Sequence, residues 1–253
     1  MNDSLDTGAT AGPQPGARRG SGGPPLGGLA VVHGALVLLA LIVGFAAAGP
    51  DAFVSPYAGA TAVAQHAQQD ATALRVVALL QFGSAVPLGI LAATAFARLQ
   101  RLGVRVPGPS IGFAGGLTAS ILLMVSAFGT FLLSRPELTS DPRLALTFSF
   151  AAFVTGGVGY VTGLGLLLAG MAVPALILGL LPRWLAWAGL VVAALAELSF
   201  LSLAIEPLQF LLPIGRFGGI AWLIAAGFLF PLDRREVREH DRLRRRGRDR
   251  AAA

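Results

Sequence analysis

The sequence has no cysteine, which excludes disulfides, thiolate-bound metals and a cysteine nucleophile. It has no lysine either: all nineteen basic residues are arginine, a bias that fits a GC-rich genome. Charge of either sign is scarce. Charged residues make up 13% of the 253, where a soluble domain carries about 25%. Hydrophobic residues make up 55%, and the mean hydropathy is +0.71. The few charges are clumped, so long stretches carry none. A chain of this kind cannot keep a globular surface wet and reads as a multi-pass membrane protein. Its net charge of +6 and pI near 11.3 do not point to nucleic acid, because most of the excess lies in one tail beside a membrane helix.

Residues 1–29 are rich in Gly and Pro and show no apolar periodicity, so a disordered tail is expected there. The apolar run from Leu29 to Gly49 is about 20 residues, too long for a signal-peptide core of about 7–15, and is read as the first span. Further spans are expected over about 76–97, 110–133, 156–181, 184–205 and 214–232. The polar connection 50–75 looks helical in its second half, as an outward extension of the second span. Asp141-Pro142 reads as an N-cap with proline at the first helical position. From there to Leu181 the one charge is Arg143, and forty residues of helix would be about 60 Å, twice the hydrocarbon thickness.

Arginine placement chooses the topology. With six spans and both termini cytoplasmic, the inside segments hold Arg18, Arg19, Arg98, Arg101, Arg105, Arg183 and the nine arginines from Arg234 to Arg250. Outside fall Arg75, Arg135, Arg143 and Arg216. A seventh span would put the arginine tail outside, against the positive-inside rule. The expectation is therefore an all-α, six-helix membrane bundle. Residues 143–154 would lie at the outer surface or pack on the bundle, with a break near Gly156-Gly157. Trp184 and Trp187 fall at the cytoplasmic interface, where aromatic anchors belong. The tail from residue 233 should meet anionic lipid headgroups.

Five stretches carry a resemblance: "LQFGSAVPLGI" (80–90), "RLQRLG" (98–103), "FVTGGVGYVTGLGLLLAG" (153–170), "LLPRWLAWAGL" (180–190) and "LLPIGRFGGIAWLIAAGF" (211–228). Across about residues 30–232 the chain resembles a family of six-span, largely actinobacterial integral-membrane proteins of unknown function. The resemblance implies six helices and a bacterial cell-membrane location. It brings no activity and no site residues.

Few side chains call for a chemical explanation. Glu197 interrupts the apolar run "AALAELSFL" (193–201), about 20 Å from the cytoplasmic start of its span. A carboxylate there should face protein or a wet cavity rather than lipid. Ala186, Ala193 and Ala204 share its stripe. Arg216 opens the next span at a similar depth, and Gly215, Gly218 and Gly219 would let the two helices approach closely. A Glu197–Arg216 ion pair is the expected arrangement; the alternative is a titratable or cation-binding carboxylate in a cavity. Gln81, Ser84 and Ser199 are the candidates for lining a polar cavity. Gly159 and Gly163 have small-xxx-small spacing, Pro174 predicts a kink, His33 reads as interfacial, and His66 with Asp70 is a weak metal pair.

H-E-x-x-H and Gly-x-Gly-Asp are missing, and the glycine-rich stretch 155–165 is not followed by the Lys-Ser/Thr of a phosphate loop. No enzymatic activity, cofactor or metal is expected. The sequence suggests a structural, sensory or partner-binding membrane protein, with a small permease or ion- or proton-coupled carrier using Glu197 as the alternative and an intramembrane enzyme as a disfavoured third reading.

Overall fold

A computed structural model describes residues 23–49 and 54–232. The segment before residue 23 and the basic tail from residue 233 lie outside the described residues, so the expected tail contacts do too. The chain forms α1 (Leu26–Ala48), α2 (Ala60–Gln69), α3 (Ala71–Arg101), α4 (Gly108–Leu133), the single turn α5 (Pro136–Thr139), α6 (Pro142–Phe153), α7 (Tyr160–Leu178), α8 (Arg183–Leu198) and α9 (Leu211–Leu229). There is no strand among the described residues. Six helical segments are long and apolar enough to cross a membrane. The protein is thus an all-α, multi-pass membrane helical bundle.

Local chemistry sets most boundaries. Pro107 and Pro109 open α4, and Pro142 opens α6 behind Asp141, whose carboxylate accepts from the Arg143 backbone N–H at 2.8 Å. A side-chain cap of this kind satisfies one of the first amides a helix leaves free. At the other end of the run, α7 stops at Gly179, whose φ of 66° is the left-handed conformation that glycine adopts without penalty. The first span starts at Leu26, three residues before the expected start at Leu29, so the end of the supposed tail is helical.

Two expectations about the opposite end are corrected. Helix α2 does not extend α3 outward. The chain departs from helical geometry at Asp70 (φ −111°, ψ 24°), and α2 folds over the bundle end against α6. There is no break at Gly156-Gly157 either. Residues 142–178 run as one helical segment of 37 residues, in which Val154–Gly159 widen to a π-helical turn. A π turn keeps the chain helical while resetting its phase. Helix α6 packs on α2 and α4, as one of the two readings of 143–154 allowed.

Helix α7 is the centre of the bundle. Val161, Leu164, Leu168, Ala172 and Ala175 are fully buried, and α4, α8 and α9 pack around them. In lipid, helices gain little from burying apolar surface; close packing between small residues matters more. The α4–α7 seam shows this. A Cβ built on Gly163 would lie 2.7 Å from the Ala119 amide nitrogen and 2.8 Å from the Gly115 carbonyl. Gly159 faces Leu122 Cδ1 at 2.6 Å, the movable end of a side chain, and is less restricted. The small-xxx-small pair is therefore a packing seam.

Spans α1 and α9 meet at the arginine-rich end, where a Cβ on Gly227 would strike the Gly27 backbone at 2.7 Å. Trp184 and Trp187 face outward at the same end, 69% and 58% exposed, as interfacial anchors do.

Candidate functional site

In the half of the bundle away from the arginine-rich loops, the helices enclose a cavity of about 520 Å³. The two inner halves of α1 and α9 are closed by contact: a Cβ on Gly34 would lie 2.8 Å from Ile220 Cγ2. Beyond that point Val37, Ala40 and Leu41 of α1 and Leu212, Pro213 and Phe217 of α9 line the cavity instead. Helices α3, α4 and α6 form its other walls, and the segment from Val54 to Asp70 covers its end. On α3 the lining runs from Ala73 to Gln81, about 12 Å along the helix axis. Most of the wall is aliphatic. The polar groups gather in two places.

At the covered end, His66 and Asp70 pair across one helical turn at 3.2 Å. Among the described residues no group of three or more His, Asp or Glu forms around them. Tyr57 closes over Phe150 and Phe153 in edge-to-face contacts with centroids 5.2 and 6.0 Å apart.

The floor is richer. Gln81 donates through Nε2 to Ser126 Oγ at 2.8 Å, and Ser126 donates in turn to the Ala152 carbonyl at 2.8 Å. Arg216 donates through Nη2 to the Gly156 carbonyl, and its guanidinium lies 5.2 Å from the centre of the Tyr160 ring, in cation–π range. Tyr160, fully buried, hydrogen-bonds His33 Nε2 at 3.0 Å. His33 Nδ1 sits 2.8 Å from the Ser84 carbonyl. A carbonyl only accepts, so Nδ1 carries the proton, Nε2 accepts, and the tyrosine hydroxyl is the donor. The accepting carbonyls Ala152 and Gly156 flank or lie in the widened turn of the helix, where the regular backbone pattern shifts. Such turns recur at functional sites.

Of the residues singled out from sequence, the structure brings Gln81 and Arg216 to this floor. It does not bring Glu197 there, nor Ser84 and Ser199. Ser84 is fully buried and donates to the Gln81 carbonyl at 2.7 Å; Ser199 donates to the Ala196 carbonyl at 2.6 Å. Both spend their hydroxyls on their own helices.

The expected Glu197–Arg216 ion pair is not formed. Glu197 packs against α7, where a Cβ on Gly165 would lie 2.8 Å from its Oε1, and that oxygen is buried without a hydrogen-bond partner. The expected helix approach does occur: a Cβ on Gly215 would sit 3.1 Å from Ala196 Cα. Glu197 and Arg216 each follow one of those two contact residues, and one step of about 100° turns each away from the seam. Ala186 and Ala193 lie buried on the predicted stripe. Ala204 leaves it, because α8 ends at Leu198 and the chain tightens to 3-10 geometry over Ser199–Leu203.

His33 and Tyr160 were not recognisable as a site. His33 is fully buried rather than interfacial, and nothing in a single sequence couples two residues 127 positions apart. The stretch Gly108-Pro109-Ser110-Ile111-Gly112 fits G-x-S-x-G. It opens α4 from a loop, without the strand that makes a nucleophile elbow, and Ser110 is exposed.

No family model matches the chain, and no curated protein or solved structure matches it either.

Proposed function

We propose that this is a non-enzymatic bacterial plasma-membrane protein that binds a small ligand in the cavity, which faces the outside of the cell. The observation that carries the reading is the cavity itself. A volume of about 520 Å³ falls within the range of about 300–1,000 Å³ typical of small-molecule sites. An aliphatic wall with a few converging polar groups is what such sites use to bind and orient. The polar groups suit binding better than proton transfer. The Tyr160 hydroxyl is committed to His33, and His33 is committed to a backbone carbonyl. The outward orientation rests on the arginines of the 98–105 and 183 loops lying at the end away from the cavity.

Placing single cysteines in the cysteine-free chain tests this. Ala40→Cys, on the cavity wall, should react with a water-soluble maleimide in proteoliposomes. Leu79→Cys, 71% exposed on an outer helix face, should be shielded by lipid. Equal protection of both positions would mean that the cavity is sealed and the reading is wrong.

The one-sided shape of the cavity favours a second reading, a small carrier caught open to one side. A carrier must also open the Gly34–Ile220 closure. Ile220→Cys would then become reactive from the other side of the membrane when ligand is supplied, and would stay silent in a binding protein.

A further inference from the structure

Arg216 is a guanidinium at membrane depth whose charge no residue of the described structure neutralises. Its hydrogen bond goes to a backbone carbonyl, and its ring contact is the uncharged Tyr160. No Asp or Glu among the described residues makes a salt bridge to it; the ion pairs found there are His66–Asp70 and Arg135–Glu137. Glu197, the partner expected from the sequence, turns toward Gly165 instead. A charged side chain within a membrane bundle is normally paired or faces a wet cavity, since leaving it in hydrocarbon costs several kcal/mol. Arginine offers five donors in a planar fork that matches the two oxygens of a carboxylate or phosphate. One of these is used on Gly156.

Two further features narrow the chemistry. The Gln81 amide and the Ser126 hydroxyl stand on the same floor, linked at 2.8 Å, so a ligand head group there meets hydrogen-bonding partners beside the cation. Between the floor and the His66–Asp70 pair at the covered end the walls are aliphatic, with Val37, Leu41, Val77 and Leu212 lining the space. A cation below and a greasy shaft above match a molecule that is charged at one end and apolar along its length.

We infer that the cavity takes a single-chain anionic amphiphile, with its carboxylate or phosphate on Arg216 and its chain against α1, α3 and α9. This inference rests on the cavity being a binding site. It adds that the ligand supplies the counter-charge that the described residues do not provide. The anion could be drawn from the surrounding lipid or arrive as a free acid; the head-group chemistry is the same.

The test uses the full chain in nanodiscs of zwitterionic lipid and follows binding by native mass spectrometry. The probes are dodecanoate, dodecanol and acetate. Dodecanoate should bind one to one, at least tenfold tighter than dodecanol, and acetate alone should not compete. Arg216→Gln should abolish the preference for acid over alcohol while leaving alcohol binding intact. Should that variant fail to fold, Arg216→Lys keeps the charge, loses the planar fork, and should retain part of the preference. Ala40→Trp, which fills the cavity wall, should remove binding of both probes. Nanodiscs containing lysophosphatidylglycerol, a single-chain anionic lipid, assign the source: competition with dodecanoate points to a membrane lipid, and its absence to a free acid. If the acid and the alcohol bind equally to the native chain and Ala40→Trp blocks both, the cavity binds ligands and the anion inference is overturned. If Ala40→Trp leaves binding of both unchanged, the cavity reading falls with it.

Discussion

Glu197 and Arg216 flank a close approach of α8 to α9 and do not pair. Their neighbours Ala196 and Gly215 make that approach, while the carboxylate turns to Gly165 and the guanidinium to Gly156 and Tyr160. A double-mutant cycle on stability in detergent should therefore show no coupling. Glu197→Gln is expected to be neutral or stabilising, because it removes a buried carboxylate that has an unpartnered oxygen. Arg216→Gln and the double variant should add within about 0.5 kcal/mol. A coupling energy well above that would mean the two charges meet.

The His33–Tyr160 contact joins α1 to the central helix inside the bundle. Tyr160→Phe removes the donor and leaves a buried imidazole nitrogen unsatisfied. That should cost about 1–3 kcal/mol in a denaturation experiment. In the double variant Tyr160→Phe/His33→Leu the combined loss should be smaller than the sum of the single losses, since no orphaned nitrogen remains. Strict additivity would show that the hydrogen bond contributes nothing.

The α4–α7 seam predicts a graded glycine series. Gly163→Ala places a methyl group against backbone atoms of Ala119 and Gly115, which cannot rotate aside. The expected loss is about 1–3 kcal/mol, as for overpacking elsewhere. Gly83→Ala meets nothing closer than Leu36 Cδ1 at 3.8 Å and should be neutral or better, because alanine favours helix. Equal melting temperatures for the two variants would contradict the seam.

Topology can be read with the same cysteine-free background. Ser140 and Arg105 are both exposed, at opposite ends of the bundle. In intact cells Ser140→Cys should react with a membrane-impermeant maleimide, and Arg105→Cys should react only after lysis. The reverse pattern would invert the orientation proposed from the arginines.

The six spans were legible because a membrane helix is specified locally: its length must match the bilayer and its residues must be apolar throughout. Pro142 behind Asp141, the glycines at 159 and 163, and the alanine stripe of α8 were legible for the same reason, as each acts within a few residues of chain. Gln81, singled out by its polarity, lines the cavity. Arg216 was given a neighbour, Glu197, that it does not have in the structure. Depth follows from counting residues at about 1.5 Å each, whereas the direction of a side chain changes by about 100° per residue and depends on how each helix is rotated. That rotation is settled by all the helices together. The π turn at Val154–Gly159 resets the phase of the central helix, Gly215 fixes how α9 meets α8, and both depend on partners far away in sequence. The cavity, the His33–Tyr160 bond and the position of Arg216 away from Glu197 are consequences of that mutual packing. The sequence alone determined that this chain crosses a membrane six times; only the tertiary structure decided which of its polar groups face one another and which face a ligand.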